Sequence, residues 1–184
     1  MITTVSTSKV ALVPQLLGEG TVALIIDYTM TDPRRAIPAG SVDFIFDGTG
    51  SATQLLSLLK PNTGMVISVA TLPSGDQLQS SGLMRRPEQP KVPLLVQLGL
   101  NALDAISRLR ARRWGVRYEY MFLEPNSQDL DTLREYVDEG KLKLIVGKEV
   151  EFKDIEQVRE ACQTVYSGKG GVGKMVIEVI KDNP

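Results

Sequence analysis

Short apolar runs rich in β-branched residues alternate along this chain with segments of helical period, and that order constrains the fold more than any other feature. Such alternation marks βαβ units, whose crossover helices make the strands of a sheet run parallel. Strands are expected at residues 2–5, 23–26, 42–46, 65–70, 118–122, 142–146, 149–152 and 175–180. Helices are expected over 9–17, 52–59, 93–113 and 128–137. Another begins at Asp154, where Ile155, Val158, Cys162 and Val165 recur at helical spacing. Gly18-Glu19-Gly20 stops the first helix, and residues 71–92, with their prolines and Ser/Gln/Arg clusters, read as a long loop. The fold class is α/β, with a doubly wound parallel sheet.

A chain of 184 residues, 42% hydrophobic and 23% charged, carries enough apolar material for a core without disulfides or metal. Its 21 basic and 22 acidic residues leave a net charge of −1, which gives no global bias toward nucleic acid or membrane. One cysteine allows no intramolecular disulfide, and the reducing cytoplasm is the expected compartment. The absence of histidine removes His-based acid–base catalysis, Ser-His-Asp and Cys-His pairs and His-ligated metal from this chain. No signal-peptide pattern opens the sequence, and no apolar run reaches the length of a membrane span.

Three features attract attention and receive plain readings. Residues 168–174, Gly-Lys-Gly-Gly-Val-Gly-Lys, look like a phosphate loop, but a helix precedes them, a strand follows, and Met175 stands where Ser or Thr would reach magnesium. A helix-to-strand turn explains the glycines. Cys162 falls on an apolar stripe and reads as a small buried hydrophobe. Asp129, Asp131 and Glu135 read as solvated partners of a helix dipole. The helix at 93–114 is less ordinary: Leu94, Leu95, Leu98, Leu103, Ile106 and Leu109 precede Arg108, Arg110, Arg112, Arg113 and Trp114. Such a helix suits an anionic membrane surface. Covering a substrate pocket or a partner subunit is the favoured reading.

Several motifs in order resemble the medium-chain dehydrogenase/reductase superfamily, in its zinc-free quinone- and enoyl-reductase branch. They are Val5-Ser6-Thr7-Ser8-Lys9-Val10, Ile25-Ile26-Asp27-Tyr28, and residues 42–47 followed by Gly50. Leu59-Lys60-Pro61-Asn62-Thr63-Gly64 and residues 171–179 complete the set. The resemblance covers the C-terminal portion of such proteins. It implies a truncated Rossmann-like domain over 1–142, lacking the first strand and Gly-rich loop, with residues 71–114 as a loop-plus-helix insertion. Residues 143–184 would form a C-terminal tail from the GroES-like catalytic domain. A dinucleotide's pyrophosphate normally rests on helix N-terminal amides that glycines expose, and no other segment supplies that context.

The same resemblance implies an NADP cofactor, with Ser6 and Lys9 at its 2′-phosphate and Tyr28 at the adenosine end. No Asp or Glu ends the first strand to hold a free ribose hydroxyl. The other reading has Thr7 or Ser8 capping the helix and Lys9 solvated. Thr49 and Gly50 would approach the nicotinamide, and Gly48-Thr49-Gly50-Ser51 serves either as a replacement phosphate loop or, preferably, as a tight turn. Tyr118 and Tyr120 are the available proton donors, though no spacing singles either out. The expected function is an NADPH-linked, zinc-independent reductase of a small-molecule alkene or quinone, of a kind found in specialised-metabolite biosynthesis. The alternatives are a truncated non-redox paralogue acting as a scaffold or a cofactor-free isomerase or cyclase, and a natural protein that begins upstream of Met1. A homodimer is expected, through the strand at 118–122 and the apolar tail.

Overall fold

The computed structural model describes residues 1–81, 91–168 and 172–180, and in it most of the expected strands form, all with parallel partners. Strands β1 (Ile2–Val5) and β2 (Leu24–Asp27) pair with Ile2 opposite Leu24 and Val5 opposite Asp27. Strands β3 (Phe44–Asp47), β4 (Met65–Ser68) and β5 (Arg117–Tyr120) form a second ladder in the order β3-β4-β5. Both ladders belong to one compact unit, Met1–Pro125. The Rossmann-like α/β fold is therefore present, with its parallel sheet in two ladders.

Helical segments depart from expectation for identifiable reasons. The helix expected over 9–17 is a 3-10 turn, Thr7–Lys9, followed by α1 (Leu12–Leu17). Pro14 has no N–H for the Val10 carbonyl, which instead accepts from Val13 at 3.4 Å, so one continuous α-helix cannot form. The helix expected over 52–59 is two 3-10 turns, Ala52–Gln54 and Leu56–Leu58. Leu59 is drawn into a parallel bridge with Val42, flanked by Val42 N–H to the Leu58 carbonyl (2.9 Å) and Lys60 N–H to the Val42 carbonyl (2.8 Å).

Two further short helices form, one of them inside the segment 71–92 that reads as a loop. In α2 (Pro33–Ala36), Asp32 caps the N-terminus and proline occupies the first turn, where its missing N–H costs nothing. In α3 (Gly75–Ser80), Ser74 and Gln77 form a reciprocal capping box. The long helix forms as expected, as α4 (Leu94–Arg113). Gly75 permits close contact between α3 and α4, because a Cβ there would sit 2.6 Å from the Gln97 Cα.

The main core joins Val66 and Tyr118 of the second ladder to Leu56, Leu59, Ala111 and Val116. A smaller cluster of Ile26, Ile37 and Leu58 ties β2 to the 3-10 turn before β4. Here the connection between the two ladders is apolar packing.

The second compact unit, Asn126–Pro184, holds α5 (Ser127–Asp138), β6 (Val146–Glu151), α6 (Ile155–Tyr166) and β7 (Lys174–Glu178). It is a βαβ unit in which β6 and β7 are parallel. The unit boundary lies ahead of α5, upstream of the 142/143 division drawn from the resemblance. Residues 142–145 precede the strand, and the two strand-like runs merge into a single β6 with an irregularity between Val146 and Lys148. At that point a Cβ on Gly147 would strike the Val172 carbonyl, and one on Gly173 would strike the Ile145 carbonyl. Gly173 of the phosphate-loop look-alike therefore serves a close strand crossing; residues 169–171 of that motif lie outside the described residues.

Cys162 is exposed, contrary to its reading as a buried hydrophobe. The α6 face against the strands is set one residue earlier, on buried Ala161, while Ile155 and Val165 point outward.

Removing most of the Leu59 side chain from its closed cluster should cost about 2–5 kcal/mol of unfolding free energy. Leu95→Ala, at a position 83% exposed, should change it by less than about 0.5 kcal/mol. Urea denaturation of the two variants measures the contrast.

Candidate functional site

Parallel strands deliver their following loops to a common edge, so the residues leaving β1, β2 and β3 at their carboxyl ends are the place to seek a site. Two of these strands end in the same way, as Asp27-Tyr28-Thr29 and Asp47-Gly48-Thr49. An aspartate there closes a local turn by accepting the amide two residues on.

After β2, Asp27 Oδ1 accepts the Thr29 N–H at 2.9 Å and the Thr29 hydroxyl at 2.6 Å. The Thr29 and Thr7 hydroxyls lie 2.8 Å apart. Hydrogen bonds from Thr29, then Thr7, hold the Asp27 carboxyl below its usual range. Thr7 thus ties the turn after β1 to the turn after β2. Neither the 3-10 turn nor α1 has a side-chain cap, so the capping reading of Thr7 and Ser8 is corrected.

After β3 the same device is buried. Asp47 is 4% exposed. Its Oδ1 accepts N–H groups from Thr49 (3.1 Å), Gly50 (2.8 Å) and Ser51 (3.2 Å). Its Oδ2 accepts the Ala52 N–H at 3.3 Å and the Ser68 hydroxyl at 3.0 Å. Burial pushes this carboxyl up, but the bonds from Thr49, Ser68, Ala52 and Gly50 together outweigh burial and hold it low. Gly50, at φ +80°, lets successive amides converge on one oxygen, forming an anion nest. The chain's own carboxylate fills that nest. Gly48–Ser51 is therefore a tight turn, and its converging amides are already engaged.

Beside these turns lies a cavity of about 390 Å³, lined by Thr4, Tyr28, Thr29, Arg34, Ser51 and Gln54 among others. Its size falls within the range of small-molecule pockets. Tyr28, 57% exposed as a residue, stands at its wall. Arg34 is braced by Asp32 through Nε (2.9 Å) and Nη2 (2.6 Å) to Oδ2. That arginine, as hydrogen-bond donor first, brings the Asp32 carboxyl down to about 2.

Of the residues singled out from sequence, Tyr28 lines the cavity, and Thr49 reaches it indirectly through Ser51, hydroxyl to hydroxyl at 2.7 Å. Ser6 and Lys9 sit in the turn after β1, where the Ser6 carbonyl accepts the Lys9 N–H at 2.8 Å, and neither lines the cavity. Gly50 gives its amide to Asp47. Sequence reading missed Thr29, Arg34 and Ser51. The Asp32-Pro33 pair, a helix-start signal, would have placed Arg34 in a first helical turn facing this region. Tyr118 is buried with its hydroxyl 2.8 Å from that of Thr71, whereas the Tyr120 ring packs edge-on against Phe122. Among the described residues no three His, Cys, Asp or Glu side chains converge as a metal site.

Comparison with known proteins gives the family and the fold. Residues 21–177 match the family model described as zinc-binding dehydrogenase. The chain is 29% identical over 161 residues to the Danio rerio protein NAD(P)H oxidoreductase RTN4IP1, mitochondrial, covering 86% of this chain and 38% of that protein. A quinone oxidoreductase from Coxiella burnetii superposes with a TM-score of 0.62 at 22% identity, over 97% of this chain and 44% of that one. An NAD-dependent alcohol dehydrogenase gives 0.60 at 19% identity, over 97% and 43%. The chain thus spans less than half the length of each.

Asp47→Asn should lower stability at neutral pH by about 2–3 kcal/mol, because buried amides and Ser68 lose a charged acceptor. The folded Asp47 carboxyl titrates below the unfolded value of about 3.9, so its stabilisation is complete above that pH. It disappears as pH falls through the lower folded value. Urea midpoints measured from neutral to acidic pH should therefore fall less steeply below about pH 4 in the variant than in the parent.

Proposed function

The chain belongs to the zinc-binding dehydrogenase family, and from that premise we propose that it forms the adenosine-phosphate side of the cofactor site of an NADPH-linked oxidoreductase, reducing a small conjugated alkene or quinone. The observation that carries this reading is the cavity where the ends of β1, β2 and the β3 turn meet, with Tyr28 on its wall. A flat, half-exposed phenol ring suits stacking against a nucleobase. No carboxylate ends β1, where Val5 leads into Ser6, so nothing there competes for a ribose 2′-hydroxyl or repels a 2′-phosphate. Lys9, which has no ion-pair partner among the described residues, supplies a cation on the turn after β1, and this supports NADPH over NADH; Arg34 stands on the cavity wall already paired with Asp32.

A bound nicotinamide would supply the hydride. The chain's own contribution is to orient the adenosine end: Tyr28 by its ring, Lys9 and Ser6 by charge and hydroxyl, and Thr29 by holding the two turns together. Asp47 occupies the amide nest after β3, so cofactor affinity rests on the adenosine end. Zinc finds no fitting donor set among the described residues. The outer edge of β5 has no strand partner among the described residues, which supports pairing with a second copy.

The filled nest favours one second reading, a non-redox binding protein or a cofactor-free isomerase or cyclase on the same scaffold. Calorimetric titration separates the two. NADPH should bind with a Kd of about 10–100 μM, weakened about tenfold by Lys9→Ala while NADH binding is unchanged. Tyr28→Ala should weaken both cofactors. No heat at millimolar NADPH, with the fold intact by circular dichroism, selects the second reading.

A further inference from the structure

The long helix α4 is turned the opposite way from an ordinary surface helix. Gln97, Asn101, Asp104, Arg108 and Ala111, three or four residues apart, face the rest of their unit. Gln97 donates to Asp76 Oδ1 at 2.8 Å, and Asn101 Oδ1 accepts the Asp76 N–H at 3.2 Å. Arg108 donates to Asp104 Oδ2 at 2.7 Å, and Ala111 is fully buried. The opposite face carries Leu95, Leu98, Ile106 and Leu109, between 48% and 83% exposed, at the same helical spacing. A stripe of this kind is an interaction surface.

Charge identifies its occupant. Beyond the stripe come Arg110, Arg112 and Arg113, all exposed, with no ion pair among the described residues. The helix's single acid, Asp104, points inward, so its outer face presents cations and apolar groups and no carboxylate. Arg110 and Arg113 line a concavity of about 360 Å³ with Trp114, Thr53 and Leu56. Two guanidinium groups and a hydroxyl around an open hollow suit a phosphate ester, and an indole suits the boundary between apolar and polar layers.

A second copy laid on this stripe would bring no carboxylate from α4 to meet the arginines. A bilayer with anionic headgroups matches both the apolar stripe and the basic end. No helix among the described residues is long and apolar enough to cross a membrane. We propose that α4 lies in the plane of an anionic membrane surface, with Leu95, Leu98, Ile106 and Leu109 in the acyl boundary and a headgroup phosphate between Arg110 and Arg113.

Trp114 is the chain's single tryptophan, so its emission reports directly on this end of the helix. Vesicles of equal parts phosphatidylcholine and phosphatidylserine should shift that emission to the blue and carry the protein down on sedimentation. Pure phosphatidylcholine vesicles should bind far more weakly. The double variant Arg110→Gln/Arg113→Gln should lower affinity for the mixed vesicles roughly 30-fold. Leu98→Glu should abolish binding while leaving the circular dichroism unchanged, because Leu98 is exposed.

The proposal is overturned if neither the shift nor sedimentation occurs with mixed vesicles, or if neutral vesicles bind equally well. It is also overturned if inorganic phosphate alone reproduces the shift, which would mark a site for a free anion. Conversion of a dimer to a monomer by Leu98→Glu in light scattering, without vesicle binding by the parent, would show that a second copy covers the stripe.

Discussion

The Asp47 carboxylate sets the shape of the first unit at the point where its sheet meets its loops. It is the last residue of β3, it lies opposite Ser68 in the β4 register, and it accepts that residue's hydroxyl directly. The same group fixes four successive amides of the following turn. A buried charge without these donors would be strongly unfavourable, so the turn conformation, the strand register and the ionised carboxylate stand or fall together. Asp27 repeats the arrangement at the surface, reaching β1's turn through the Thr29 and Thr7 hydroxyls. Each ladder therefore ends in an aspartate that links it to the neighbouring connection. These end locks matter because strands of four residues contribute few ladder bonds of their own.

This interaction also divides the candidate site. Amides converging at the start of a helical turn would ordinarily attract an external phosphate. Asp47 satisfies them from within and places negative charge beside any approaching anion. The open concavity lies instead on the β2 side, beside Tyr28 and Arg34. Recognition on that side relies on a ring face, hydroxyl groups and cations, where affinity scales with contact and charge more than with backbone fit.

Strand positions were largely legible because apolar runs of β-branched residues have few other fates, and β1 falls where its residues 2–5 placed it. Helices were less legible where a local conflict mattered more than the pattern. Pro14 shortened α1 by removing a donor, and Leu59 left a helical run because Val42 offered a strand partner. Asp32-Pro33 and Ser74-x-x-Gln77 are readable start signals that were passed over because their helices are too short to show a period. Within the site, Tyr28 was visible from its place after a strand. The role of Asp47 was not, because six donors on one carboxylate, the Thr49 hydroxyl at 3.3 Å among them, are a property of three-dimensional convergence. Its sequence trace, Asp-Gly-Thr-Gly, is shared by turns of many kinds.

The orientation of α4 shows most clearly how neighbours decide what a pattern means. Its sequence is amphipathic, and amphipathicity alone would turn the leucines inward. Here α4 packs against α3, β5 and the 3-10 turn Ala52–Gln54, and α3 presents Asp76 beside a glycine contact close enough to bring backbone against backbone. A leucine stripe laid there would strand Asp76, which Gln97 and Asn101 now satisfy and hold below its usual carboxyl range. It would also place the Asp104–Arg108 pair in solvent, where such pairs contribute little. Polar matching to α3 thus selects the inward face, and the apolar face becomes the outer surface of the unit. A fold that turns its leucines outward in this way leaves an apolar stripe exposed on its surface.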